Sequence, residues 1–187
     1  MIYQSIKINK LKLENRVVVS PMCQYSAING HPSSWHYKHL GSLVKSGASM
    51  VILESTAVNK EGRITKNDLC LYNEEHKKSF KKLILFLKSI KNIPIFIQLS
   101  HAGRKGSAEI PWIKSNSPLK KEDGWQTISS LGIKKDLKWP KPKHATEKDI
   151  KKIINDFAKS AKFAISSGFD GIEIHMAHGY LIHQFLS

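Results

Sequence analysis

Apolar residues fall along the chain in short runs that switch between two periods. Ile6 to Leu13 alternates apolar and polar residues around Asn9-Lys10 and predicts a small hairpin. Arg16 to Met22 is a β-branched run, Ala48 to Glu54 a second apolar run, Pro94 to Ser100 a third and Phe169 to His175 a fourth. Continuous runs of this length suit strands buried on both faces. Between them the apolar spacing widens to three and four residues. Trp35 to Ser46 predicts a helix ended by Gly47, and Asn73 to Lys91 predicts a long one with Phe80, Leu83, Ile84, Leu87 and Ile90 on one face. Thr146 to Ser167 predicts a third, opened by a capping-box signal over Thr146 to Asp149 and closed at Gly168.

Strands and helices therefore alternate, which demands a parallel sheet with helical crossovers. A doubly wound sheet and a (β/α)8 barrel both satisfy that order. No G-x-G-x-x-G follows the first strand and no G-x-x-x-x-G-K-[ST] occurs, which lowers the nucleotide-fold option. Chemically capable residues gather just past the strand ends: Cys23 and Tyr25 after the first, Thr56 after the second, Gln98 and His101 at the third, His175 and His178 at the fourth. Barrel enzymes keep their active sites there. The expected fold class is α/β, a (β/α)8 TIM barrel truncated to its first four strands, with an N-terminal β-hairpin. Residues 1–187 then form the N-terminal portion of one domain, with a long lid-like excursion at about 102–145. That segment holds Trp112, Trp125 and Trp139, which either fold it over the barrel mouth or pack it to the barrel wall.

Composition narrows the function classes. At 41% hydrophobic and 24% charged, the 187 residues are globular in character and long enough for a real core. The net charge of +15 invites a nucleic-acid partner, yet only Arg16, Arg63 and Arg104 among 30 basic residues are arginine, and the lysines lie mostly on predicted helix faces. A nucleic-acid partner is therefore not expected. No apolar run approaches the ~20 residues of a membrane span. Met1 to Lys12 lacks the features of a signal peptide, so a cytoplasmic location is expected, and two cysteines are too few for a disulfide scaffold. The stretch from His178 to Ser187 stops without cap, Gly or Pro and reads as a cut end.

The strongest chemical constellation is His175-Met-Ala-His-Gly-Tyr180. Strand alternation puts Glu173 and His175 on one face, opposite Ile172 and Ile174. Gly179 permits a tight turn, so His178 and Tyr180 can swing over the same pocket. Two imidazoles and a phenol suggest donors for an oxyanion plus a proton source. Zinc ligation is the competing reading, but neither cysteine stands at metal-ligand spacing to the pair, so no metal is expected. Cys23 is either a small buried hydrophobe or a thiol exposed to the pocket. Gln98 is a buried amide that must find partners; a planar heterocycle would supply them, and a bond within the sheet is the alternative.

Four stretches together carry a family resemblance: Ser20-Pro-Met-Cys-Gln-Tyr25, Glu54-Ser-Thr-Ala-Val58 with Gly62-Arg-Ile-Thr65, Gln98-Leu-Ser-His-Ala-Gly-Arg-Lys105, and Gly168-Phe-Asp-Gly-Ile-Glu-Ile-His175 continuing to Ser187. In order and content the chain resembles the Old Yellow Enzyme family of FMN-dependent ene-reductases, most closely the bacterial NADPH dehydrogenases and xenobiotic reductases. The resemblance implies that Ser20, Pro21, Met22, Cys23, Ala57 and Gln98 bind FMN, with Cys23 tuning its redox behaviour. It implies that His175 and His178 hold the carbonyl or nitro oxygen of an electrophilic alkene bordered by Tyr25. Tyr180 would give the proton and NADPH would be the reductant. It also implies a homo-oligomeric enzyme when full length, whose later strands carry the FMN phosphate site. The 187 residues alone are then expected to hold flavin weakly. Cys70, in Asp68-Leu-Cys-Leu-Tyr72, departs from the family pattern of glycine followed by tryptophan.

Overall fold

The computed structural model describes all residues from 1 to 187. The predicted hairpin forms from β1 (Ile6–Ile8) and β2 (Leu11–Leu13), paired antiparallel with Ile6 opposite Leu13. Its turn puts Asn9 in the left-handed region at φ 53°, a conformation asparagine tolerates better than most residues.

Four parallel strands follow in the order β3 (Val18–Val19), β4 (Met50–Ala57), β6 (Ile95–Ser100) and β9 (Gly171–Ile174). The short β5 (Leu69–Cys70) joins the end of β4. Helices α1 (Ser34–Lys45), α2 (Glu74–Ile90) and α3 (Glu147–Ser167) supply the crossovers. This is half of a (β/α)8 arrangement, with β3 and β9 as its edges. The first strand is shorter than its sequence run predicts, because only Val18 and Val19 find partners, at Met50 and Val51.

The helix ends follow the expected chemistry. Asn73 Oδ1 accepts from the backbone of His76 at 2.8 Å, and Thr146 and Asp149 form the reciprocal capping box. Gly168 closes α3 at φ 98°, the left-handed cap that glycine adopts without penalty.

The core lies between the sheet and the helices. Val51 and Leu53 of β4, with Ile95, Ile97 and Leu99 of β6, pack against Leu40 and Val44 of α1, Phe80, Leu83, Ile84 and Leu87 of α2, and Ala164 of α3. Alternation sends Phe96 and Gln98 to the other face of the sheet. Phe96 lies opposite Gly171, where an added Cβ would meet its ring at 2.3 Å, so glycine makes room for the aromatic there.

The register of β4 against β6 slips between Leu53 and Thr56, which inserts one extra residue at Glu54–Ser55. The excursion opens with a 3₁₀ turn (Gly103–Lys105) and contains a parallel pair, β7 (Ile128–Ser129) with β8 (Lys143–His144). Trp139 is buried within it, Trp125 donates from Nε1 to Glu61 O at 3.0 Å, and Trp112 meets Tyr25 edge-on at 5.8 Å. No helix is long and apolar enough to cross a membrane.

Candidate active site

The C-terminal ends of the strands converge on the residues expected from sequence. After β9 the chain turns sharply, with His178 at φ 57° and Gly179 at φ 69°, before a final helix α4 (Leu181–Leu186). The turn is tied on three sides. Lys105 Nζ donates to His178 O at 2.5 Å, Gln184 Nε2 donates to Gly179 O at 2.7 Å, and Gly179 N donates to His183 Nδ1 at 2.7 Å. As a result His175, His178 and Tyr180 stand together: the His175 ring lies 5.0 Å from that of His178 and 4.7 Å from that of Tyr180.

Their protonation follows from their surroundings. His175 is 7% exposed, and burial, with the neighbouring His178, holds its pKa below the ordinary histidine range. Its Nδ1 accepts from Ala177 N at 3.2 Å, which leaves the proton of the neutral ring on Nε2 as a free donor. Burial raises the Tyr180 phenol well above its usual range, so it keeps its proton. No three His, Cys, Asp or Glu side chains gather as a metal cluster.

Across the mouth, Cys23 and Tyr25 sit in a loop whose backbone is fixed by Glu54. Glu54 Oε2 accepts from Gln24 N at 2.8 Å, while its other oxygen lies 3.3 Å from Nε2 of the fully buried His36. This carboxylate lies at the register slip of β4. Burial pushes the Cys23 thiol up to about 12. A thiol so raised is no nucleophile at neutral pH. Tyr25 itself holds φ 47°, a strained position for an aromatic residue. Ser20 and Met22 are exposed beside the β3 edge, and Pro21 is half-buried.

Ala57 is buried at the end of β4. Gln98 Nε2 donates to Glu173 Oε1 at 2.5 Å, across the in-register pair of β6 and β9. The amide thus has a partner inside the sheet, because Gln98 and Glu173, in register on neighbouring strands, share the inner face.

Sequence reasoning missed the supports of the site. Asp68, wholly buried, accepts from Thr65 N at 3.0 Å and Thr65 Oγ1 at 2.7 Å and fixes the Ile64–Thr65 turn beside the pocket. Glu54 and His36 were missed as a pair, and so were His183 and Gln184. The one available signal was an acidic residue, Glu54, closing an apolar strand run.

A parallel-stranded half barrel with polar side chains over its strand ends defines a class, the α/β-barrel proteins that place their sites at the C-terminal ends of the strands. The comparisons with known proteins make the class specific. The family model described as NADH:flavin oxidoreductase / NADH oxidase matches residues 1–187, and the chain belongs to that family, the Old Yellow Enzyme family. It is 42% identical over 190 residues to an NADH:flavin oxidoreductase of Gibberella zeae, covering 100% of this chain and 46% of that protein. It is 40% identical over 188 residues to an NADPH dehydrogenase of Listeria welshimeri, covering 100% of this chain and 51% of that protein. The chain spans about half the length of these relatives. Morphinone reductase, solved in complex with tetrahydroNAD, shares the fold at a TM-score of 0.84 and 20% identity, over 100% of this chain and 52% of its own.

Proposed function

We propose that this chain is the acceptor-binding half of an FMN-dependent oxidoreductase that passes reducing equivalents from NADPH to an α,β-unsaturated carbonyl or nitro compound. The observation that carries the reading is the cluster of His175, His178 and Tyr180 at the mouth of the β9 strand. FMN, when bound, supplies the hydride chemistry.

The residues present fit a flavin by the chemistry of their donors. Ser20, Pro21, Met22 and Cys23 follow β3, Ala57 ends β4 and Gln98 lies on the inner face of β6, where its amide can pair with the edge of a planar heterocycle once it shares or releases Glu173. Cys23, held protonated by burial, acts on the cofactor's redox behaviour and not as a nucleophile.

The acceptor's oxygen is held by the Nε2–H of His175 and by His178, which polarises the conjugated alkene. Tyr180, protonated at neutral pH, delivers the proton to the α carbon, and Tyr25 borders the substrate. The excursion at 102–145, reaching Tyr25 through Trp112, acts as a lid over this pocket.

A second reading concerns the chain by itself. Its half coverage of the relatives, with two edge strands exposed, favours a fragment that holds FMN weakly and self-associates.

The test joins residues 1–187 to the C-terminal half of the Listeria welshimeri NADPH dehydrogenase. The joined protein is expected to purify yellow and to oxidise NADPH with 2-cyclohexen-1-one, and Tyr180→Phe to lower turnover by about 10²–10⁴-fold with flavin content retained. A colourless protein that FMN cannot reconstitute contradicts the proposal.

A further inference from the structure

A pocket of about 250 Å³ opens beside the ring cluster, lined among others by Tyr25, Tyr180, His178, Trp139, Lys105 and Lys135. Lys105 comes from the 3₁₀ turn after β6, and Lys135 from the excursion. Neither has a carboxylate partner. The ion pairs of the chain engage other basic residues, from Lys66 with Asp123 to Lys143 with Asp149 and Lys152 with Asp156.

The contacts these two lysines do make are neutral. Lys105 Nζ donates to the backbone oxygen of His178, while Lys135 Nζ donates to Asn116 Oδ1 and lies 4.1 Å from the centre of the Trp139 ring. Two acids stand nearby, and both are engaged by backbone donors: Glu109, in the pocket lining, accepts from Ile110 N, and Asp136 accepts from Lys138 N. Partial burial and the neighbouring Lys105 hold the Lys135 ammonium below the ordinary lysine range. Two half-buried cations facing one small pocket repel each other, and an anion between them removes that cost.

We infer that Lys105 and Lys135 form an anion-recognising wall of the acceptor pocket, selecting a molecule that carries a carboxylate or a phosphate. This deepens the proposed function and rests on its placement of the acceptor beside His178 and Tyr180. Two sources share that chemistry: a carboxylate on the acceptor, or a phosphate on the nicotinamide reductant. Lysine suits both as a compact point charge that needs no planar, bidentate partner.

Trp139 and Trp112 report on the pocket, so the 187-residue chain is titrated without flavin, by tryptophan emission at constant ionic strength. The probes are benzoate, inorganic phosphate and the neutral isostere benzamide. The expected result is saturable binding of an anion about tenfold tighter than benzamide, weakened about tenfold by Lys135→Met and restored by Lys135→Arg. Benzoate above phosphate assigns the acceptor's carboxylate, and phosphate above benzoate assigns the reductant's phosphate. Benzamide binding as tightly as the anions, the absence of a saturable anion signal, or anion affinity unmoved in Lys135→Met overturns the inference. Because no flavin enters the assay, the two failures are distinguishable: a joined protein that cannot be reconstituted with FMN sinks the proposed function, whereas an absent anion signal in this titration sinks the inference alone.

Discussion

The two faces of the sheet are made from alternate residues of the same strands, yet they differ in kind. On β6 the odd positions Ile95, Ile97 and Leu99 are wholly buried against the helices, whereas the even positions carry Phe96, the Gln98 amide and the Ser100 hydroxyl toward the barrel interior. On β9, Ile172 packs toward the core while Glu173 meets Gln98. The outer face is a close-packed apolar layer whose residues are interchangeable in type but not in volume. The inner face mixes Phe96 with polar groups, of which Gln98 and Glu173 partner each other. Stability and chemistry are thus separated by the parity of a residue's position.

The largest expected effect lies on the outer face. Ile97→Ala removes a fully buried side chain from the middle of the core and should cost about 2–5 kcal/mol, read as a fall in the urea midpoint. A loss below about 1 kcal/mol would show that the outer layer is loose, and the comparison would fail.

A smaller effect, with a distinctive pH signature, is expected on the site side. Burial raises the Asp68 carboxyl from 3.8 to about 7. Between those values the folded state binds more protons than the unfolded, so this group's contribution to stability is full at low pH and is lost as pH rises toward 7. His101, held down to about 4 by burial, has the opposite slope: its contribution is present above about 6.5 and is lost as pH falls toward 4. Asp68→Asn should therefore gain stability relative to the parent as pH rises from 4 to 7, measured by thermal unfolding across that range. A difference independent of pH would contradict the assignment.

Most of the frame was legible in the sequence because burial leaves a periodic trace. The β-branched runs, the Phe80–Leu87 stripe and the caps at Thr146 and Gly168 each report a local preference that the tertiary structure reinforces. What the sequence did not show depends on pairing across distance. The bulge at Glu54–Ser55 is a register slip between two strands, and β5 exists only because Leu69 and Cys70 meet Thr56 and Ala57. The Cys70 departure is accommodated against Gly30, where an added Cβ would meet the Cys70 Cβ at 2.7 Å. Helix α4 carries no cap and an apolar sequence without a clear stripe, so its only trace was composition.

The candidate site divides the same way. His175, His178 and Tyr180 stand close in sequence and were readable from one motif. Their supports were not, since Lys105, Asp68 and the Glu54–His36 pair reach the site from other elements.

Neighbours on one strand offer the most direct test of this division. In the joined barrel protein, the urea midpoint and the FMN affinity are measured for Ile97→Ala and Gln98→Leu side by side. The account predicts that Ile97→Ala lowers the midpoint the more of the two while the folded protein still binds FMN, and that Gln98→Leu lowers it less while weakening FMN about tenfold or more. Flavin affinity unchanged in Gln98→Leu, with the loss falling on Ile97→Ala instead, would contradict it.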